Sequence, residues 1–370
     1  MEKMVRVLHI FHNMGNGGIE NFVMNYYRAI DREKIQFDFL TSVEEEGYFD
    51  KEIKKMGGHI YHAYPKKKNP IKNYFSIAKI VQDKRYKIVH RHTGSAISNI
   101  DLLAARHGGA EVLISHSHAT QAGKKWLHYL ARIIFHVKVE EFACSKEAGR
   151  WLFGKKDVES GKVQIIRNAI EIQLYKFDEE KRRKVREEKN ASDKLIIGHV
   201  GNFNEVKNQT FVIDIFDSIQ RKSENVELWL VGDGEWREKV EKKVEKLELQ
   251  KKVVFWGKRN DVSSIMQGMD VFLFPSLHEG FGIVLIEAQC SGLSCVASID
   301  TIPKEVNITG NIEFISLGES ADTWGREVEK VLRKDMDREC GYNFIKEAGF
   351  DIKDAAKDLE RRYLTYAKGK

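Results

Sequence analysis

The run FPSLHEGFGIVLIEAQCSGL, residues 274–293, decides the fold. Phe274 belongs to a short apolar strand, predicted over Val271–Pro275. Glu279, Gly280, Phe281 and Gly282 make a glycine-flanked turn, and a helix is predicted from Ile283 to Cys290. Strand, tight turn and helix in that order form a unit of a parallel α/β sheet. The first N–H groups of such a helix lack intrahelical partners and sit at its positive end. Glycines on the approach let an anion come close to the backbone, as a diphosphate requires. Glu287 lies one turn inside the helix. A carboxylate there would repel a phosphate seated directly on it, but it can accept hydrogen bonds from ribose hydroxyls alongside. Glu279, ahead of the turn, suits sugar hydroxyls or developing positive charge. Two acids flanking one phosphate-binding turn do not give the opposed pair of a glycoside hydrolase.

The same alternation extends in both directions. Downstream of residue 190, strands are predicted at Leu195–Gly201, Val226–Val231 and Val253–Trp256, with helices near Gln209–Lys222 and Trp236–Leu247. Upstream, Val5–Phe11 is a strand followed by the glycine cluster NMGNGG and a helix over Ile19–Ile30. Gln36–Thr41, Ile88–His92 and Val112–His116 are further strands. Both halves therefore read as doubly wound α/β domains. The charged stretch Asp178–Asp193 has little apolar content and is expected to be the linker. Residues 1–175, joined by a C-terminal helix at 352–370, make the first expected domain, and residues 190–350 the second.

A chain of 370 residues fits two domains, and 42% hydrophobic with 31% charged residues excludes an unfolded chain. Four cysteines without a CxxC pair exclude a disulfide scaffold and a zinc ribbon. No apolar run reaches the ~18–20 residues of a membrane span, and the expected location is the cytoplasm. Residues 1–170 carry a net charge of +10 and residues 171–370 one of −4, so the halves face different partners. The basic segment YPKKKNPIKN, 64–73, is read as a loop. With WLHYLARIIFHVKV, 126–139, it reads first as a solvated loop beside a core helix, and alternatively as a surface for anionic lipid headgroups at the inner membrane face. No nucleic-acid module is present.

Gly15-x-Gly17-Gly18 lacks the third glycine of a dinucleotide fingerprint. It still leaves Gly17 and Gly18 able to approach a diphosphate. His116 and His118 share one strand face, as do His90 and His92. Imidazoles suit zinc, but no acid or cysteine joins them at a recognisable spacing, so substrate contact is the preferred reading and no metal is expected. Asp335-Met336-Asp337 is read as a solvated surface stretch.

Glu279-x7-Glu287 within EGFG…EA…SG closely resembles the signature of retaining glycosyltransferases of family 4. GGIE at 17–20, HSH at 116–118, RNAI at 167–170, HVGNFNEVKN at 199–208, LVGDGE at 230–235 and VVFWGKRNDV at 253–262 resemble that family's other segments, in the family's order. The resemblance implies the GT-B fold, two Rossmann-like domains with a central cleft. It implies a donor site of Gly17, Gly18, Asn202, Lys207, Lys258, Glu279, Gly280, Phe281, Gly282, Ile283 and Glu287. Glu287 would bind the donor ribose. Lys207 would neutralise the leaving diphosphate. His118, Lys207 and Glu279 would be the catalytic groups, with His116, His118 and Asn168 on the acceptor side. The family commonly has arginine where this chain has Asn202, which leaves two readings: Arg167 or Lys258 substitutes as the cation, or the diphosphate site is weaker.

The activity implied is transfer of a sugar from a nucleotide-sugar, by family frequency a UDP-sugar, with retention at the anomeric carbon. The acceptor implied is a saccharide, lipid-linked, in exopolysaccharide or capsule synthesis. No cofactor is implied, since the nucleotide-sugar is a substrate and the family generally needs no metal. A nucleotide-sugar 2-epimerase and a silent nucleotide- or membrane-binding protein are the competing readings.

Overall fold

The computed structural model describes residues 4–15, 17–43, 45–119, 125–135, 137–333 and 337–369. Asp335 and Met336 lie outside them. The chain folds into two compact units. One comprises Met1–Ala169 with Ile352–Lys370, and the other Ile170–Asp351.

The first unit is built on a seven-stranded sheet of β1 (Val5–Ile10), β2 (Ile35–Thr41), β3 (Ile60–His62), β4 (Ile88–Thr93), β5 (Val112–Ser117), β6 (Glu140–Ala143) and β7 (Gln164–Ile165). Its order is β3-β2-β1-β4-β5-β6-β7, with every pair parallel. A parallel sheet is covered on both faces, so its strands must be apolar throughout rather than alternating. The sequence obeys: every residue of β2 is buried. Val7, Phe37, Phe39 and Ile114 face one core. Leu8, Ile10, Leu40 and Val89 face the other.

The second unit repeats the plan with β8 (Leu195–Val200), β9 (Val226–Val231), β10 (Val253–Gly257), β11 (Val271–Phe274), β12 (Ser294–Ser298) and β13 (Ile312–Ile315), in the order β10-β9-β8-β11-β12-β13. In each sheet the strand order reverses beside its first strand, between β1 and β4 and between β8 and β11. Ligands of open α/β sheets bind at such reversals, beyond the carboxyl ends of the strands.

The C-terminal helix Ile352–Ala367 buries Ile352, Ala356, Leu359 and Tyr363. This stripe at helical spacing packs against the helix Gly18–Ala29 and the first sheet.

Two sequence expectations are corrected. The stretch 178–193 is no linker. Asp178 caps the helix Glu179–Glu188 through the backbone N–H of Lys181, and that helix docks within the second unit. Arg182 and Arg186 each reach a different oxygen of Asp270 at 2.5 Å. The Ile196 N–H donates to the same carboxylate at 2.7 Å. The polar composition hid a tertiary anchor made of charge rather than apolar surface. The segment 64–73 is likewise only half loop. Asn69 caps a helix that begins at Pro70, and Lys66 reaches Asp101 at 2.6 Å.

Asp270 is 16% exposed and balances two arginines. Removing one partner of such a pair leaves charge without compensation, at about 3 kcal/mol or more. Asp270→Ala should therefore lower urea-denaturation stability by at least that amount. A change under about 1 kcal/mol would show that the two arginines are only surface partners.

Candidate active site

In the second unit, the site begins where β8 and β11 end. The loop after β8 carries Lys207, and the loop after β11 carries Ser276 and Glu279. Main-chain and side-chain bonds stitch the two loops together. The Leu277 N–H donates to the Val206 carbonyl at 2.7 Å, and the Asn208 side-chain amide donates to the Pro275 carbonyl at 3.1 Å. Across this seam Lys207 Nζ forms an ion pair with Glu279 Oε1. The Ser276 hydroxyl lies 2.9 Å from the same oxygen. Lys207 Nζ also stands 4.8 Å above the Phe274 ring, where the ring's negative face favours a cation. Gly201 lies close beneath it: a Cβ there would come to 3.1 Å from the lysine stem, which would have to shift slightly.

The turn ends at Gly282, whose φ of +79° is left-handed and favours glycine. It caps the helix Ile283–Cys290. Phe281 stacks on Phe350 with centroids 5.8 Å apart, which fixes one side of the turn, and Ile283 packs on the same core. Gly280 is exposed. Glu287, half-buried one turn in, has its carboxyl pushed up to about 7 by desolvation, against the opposing pull of the Tyr175 hydroxyl and of Lys207. Lys207, Glu279, the Gly282 turn and Glu287 thus share one neighbourhood.

Asn202 is exposed, and its carbonyl accepts from the Gln209 side chain at 2.9 Å. Lys258 follows the edge strand β10, with β9 between that strand and β8.

The first unit holds a different cluster. His9 of β1 stands in register with His90 of β4, and His92 with His116 of β5. His118 follows β5. His9 Nδ1 meets His92 Nε2 at 3.0 Å, and His92 Nδ1 meets His118 Nε2 at 2.9 Å. His90 Nε2 meets His116 Nδ1 at 3.1 Å, and His90 Nδ1 meets the Tyr363 hydroxyl at 2.6 Å. Burial keeps these imidazoles neutral. It pushes His9 and His118 down to about 3, and holds His90, His92 and His116 well below the ordinary histidine range, with neighbouring imidazoles adding to it.

His116 is fully enclosed. It is therefore corrected from an acceptor contact to a support behind His118, which is half-buried just beyond the carboxyl end of β5.

Beside this cluster, a cleft of about 320 Å³ opens at the reversal between β1 and β4, lined by Phe11, Glu20, Arg91, His92 and Gly94 among others. Gly17 caps the helix Gly18–Ala29, and a Cβ on it would meet the Glu20 carboxylate at 2.4 Å. Gly18 meets nothing within 4 Å, so packing does not require it. Asn168 lies next to the end of the first unit, after Arg167, whose carbonyl accepts from the Tyr26 hydroxyl at 2.7 Å.

Sequence reasoning missed His9, Glu20, Arg91, Ser276 and Tyr175. The signal for His9 is a polar residue inside the apolar strand VRVLHI. The signal for Arg91 is its place in RHT, at the carboxyl end of a buried strand.

This geometry meets known proteins in a consistent way. Residues 16–174 match Glycosyltransferase Family 4, and residues 180–347 match Glycosyl transferases group 1. The chain belongs to this glycosyltransferase family. EpsF of Bacillus subtilis (strain 168), named as a glycosyltransferase, is 34% identical over 88% of this chain and 87% of its own. The capsular polysaccharide biosynthesis glycosyltransferase CapH of Staphylococcus aureus is 24% identical over 98% of this chain and 99% of its own. An Escherichia coli UDP-Gal:alpha-D-GlcNAc-diphosphoundecaprenol alpha-1,3-galactosyltransferase is 25% identical over 78% and 79%. Among solved structures, Anabaena Alr3699/HepE in complex with UDP superposes with a TM-score of 0.77 at 18% identity, covering 98% of this chain and 100% of that one. The fold is GT-B.

The raised Glu287 carboxyl has a pH consequence. The folded chain holds that proton more tightly than the unfolded chain, so this group lowers stability as pH climbs from about 4.5 to about 7. Glu287→Gln removes the effect. The stability of the variant relative to wild type should rise by about 2 kcal/mol between pH 5 and pH 8 in urea titrations. A difference independent of pH would mean that the carboxylate is solvated.

Proposed function

We propose that this glycosyltransferase moves a sugar from a UDP-sugar to a lipid-linked saccharide in capsule or exopolysaccharide synthesis, with retention at the anomeric carbon. The observation that carries the reading is the Lys207–Glu279 pair beside the Gly282 turn, with Glu287 one turn below. The UDP in the HepE complex, and the donor and acceptor in the Escherichia coli relative's name, support the substrate classes.

In this reading the diphosphate sits on the N–H groups that open the helix Ile283–Cys290, and Glu287 accepts from the ribose. Lys207 turns from Glu279 to the diphosphate as the glycosidic bond breaks, where negative charge grows. Glu279 is then free for hydroxyls of the donor sugar. The departing diphosphate accepts the acceptor's proton on the same face of the sugar, which retains the configuration without a protein base. His118 contacts the acceptor. The reaction uses no metal. Lys207→Ala should cut kcat about 10²- to 10³-fold, as loss of one such charge-stabilising donor does elsewhere. An unchanged kcat would remove the lysine from the mechanism. NMR of the product should show the donor's anomeric configuration, and an inverted product would overturn retention.

The helix Lys125–Ile134 supports a membrane-bound acceptor. It buries His128 and Ala131 while exposing Trp126, Tyr129, Leu130, Ile133 and Ile134, with Ile133 77% exposed. Lys125 is exposed at the start of the helix, and Arg132, partly buried, donates to the Phe153 carbonyl at 2.5 Å. An amphipathic helix with interfacial aromatics and bases lies in the plane of an anionic bilayer. Vesicles rich in phosphatidylglycerol should sediment the chain, and Trp126→Glu with Ile133→Glu should abolish sedimentation while leaving the folded spectrum intact. Equal sedimentation of wild type and variant would contradict this role. No helix among the described residues is long and apolar enough to cross a membrane.

A further inference from the structure

We infer that His92, His116 and His118 form a three-nitrogen site for a transition-metal ion such as Zn²⁺. A ring nitrogen from each lies within 4.8 Å of the others. The neighbouring bonds select the ligand atoms. His92 uses Nε2 toward His9, and its Nδ1 faces His118 Nε2 at 2.9 Å. His116 uses Nδ1 toward His90, and its Nε2 is buried with no hydrogen-bond partner. His92 Nδ1, His116 Nε2 and His118 Nε2 are therefore the three donors.

Both inner ligands then have the support that metal-binding histidines take. The His92 Nε2–H donates to His9 Nδ1. The His116 Nδ1–H donates to His90 Nε2, and the His90 Nδ1–H donates to the Tyr363 hydroxyl oxygen. His9, accepting at Nδ1, then carries its own proton on Nε2, which is buried without a partner, and the lone pair left over on each inner ligand is the one offered to the ion. Phe22 presents its edge to His116 and His118, with centroids 5.1 and 4.9 Å away, and so closes one side with apolar surface.

A tetrahedral zinc with Zn–N near 2.0–2.1 Å wants its nitrogens about 3.3 Å apart. The His92–His118 pair need separate by only a few tenths of an ångström. The cleft lined by His92, Glu20 and Gly94 gives the ion a way in. Three protein nitrogens leave a fourth position for water, as in an open site.

A second trio, His9, His90 and His92, also has its nitrogens within 4.8 Å. It is the weaker site, because both nitrogens of His90 are already engaged by Tyr363 and His116.

Sugar transfer as proposed above needs no ion. An ion on His118 would occupy the nitrogen offered to the acceptor, so the site would be inhibitory. That consequence, unlike the site itself, rests on the proposed function.

The test is titration of the metal-free full chain with Co²⁺, read by its visible ligand-field spectrum and repeated in competition with Zn²⁺. The site predicts tetrahedral bands that saturate at one ion per chain and disappear on adding Zn²⁺. His116→Asn and, at the half-buried position beyond β5 where folding is less at risk, His118→Gln should each abolish them, with circular dichroism unchanged. Octahedral or non-stoichiometric spectra would overturn the site, as would bands that survive in folded His118→Gln. If the bands appear but Zn²⁺ leaves turnover unaffected, the metal site stands and the role given to His118 in transfer fails.

Discussion

A lysine and a glutamate neutralise each other where β8 and β11 end, and the proposed donor site is organised around that pair. Partly desolvated charges are costly unless each is matched and hydrogen-bonded. Here the match is supplied by the ring of Phe274 below the ammonium and by Ser276 beside the carboxylate. The same contacts hold together two loops from strands that are neighbours in the sheet yet separated along the chain by β9 and β10. The cation is thus kept at the glycine turn without needing an anion to hold it there. A diphosphate arriving at the helix N-terminus would exchange one carboxylate for a stronger anionic partner. Glu287, desolvated and partly protonated near neutrality, puts less negative charge against that anion than an ordinary carboxylate would.

The first unit solves a different problem. Polar side chains on three adjacent strands of a buried parallel sheet would be costly unless bonded. Imidazoles meet the requirement by bonding one another, since a neutral ring both donates and accepts. The helix Ile352–Ala367 contributes Tyr363 to the same chain of bonds. This last helix therefore completes a polar network as well as an apolar core. His118, beyond the end of β5, is left with its orientation set from behind by His92, which lines the cleft at the strand-order reversal.

Much of this was legible in the sequence. The apolar runs with glycine turns gave the strands and the doubly wound class. The EGFG turn gave the glycine-capped helix start that is proposed to hold the diphosphate, because a cap depends on local backbone chemistry. What the sequence hid depends on strand order and tertiary pairing. His9 joins His90 only because β1 lies beside β4 in register. His116 has the same spacing to His118 as His90 to His92, and nothing local tells that His90, His92 and His116 are enclosed while His118 is only half-buried. Arg182 and Arg186 looked like a solvated linker, since their partner Asp270 is more than eighty residues away. The apolar face of the helix Lys125–Ile134 is legible as a pattern, but only the structure shows that it is left uncovered.

The central claim is that the Lys207–Glu279 pair is the resting form of a diphosphate site. A crystal structure with UDP bound tests it most directly. The account predicts the diphosphate at the N-terminus of the helix Ile283–Cys290, Lys207 Nζ moved from Glu279 to a phosphate oxygen, and Glu287 on the ribose hydroxyls. A diphosphate bound elsewhere, with the Lys207–Glu279 pair unbroken, would contradict it.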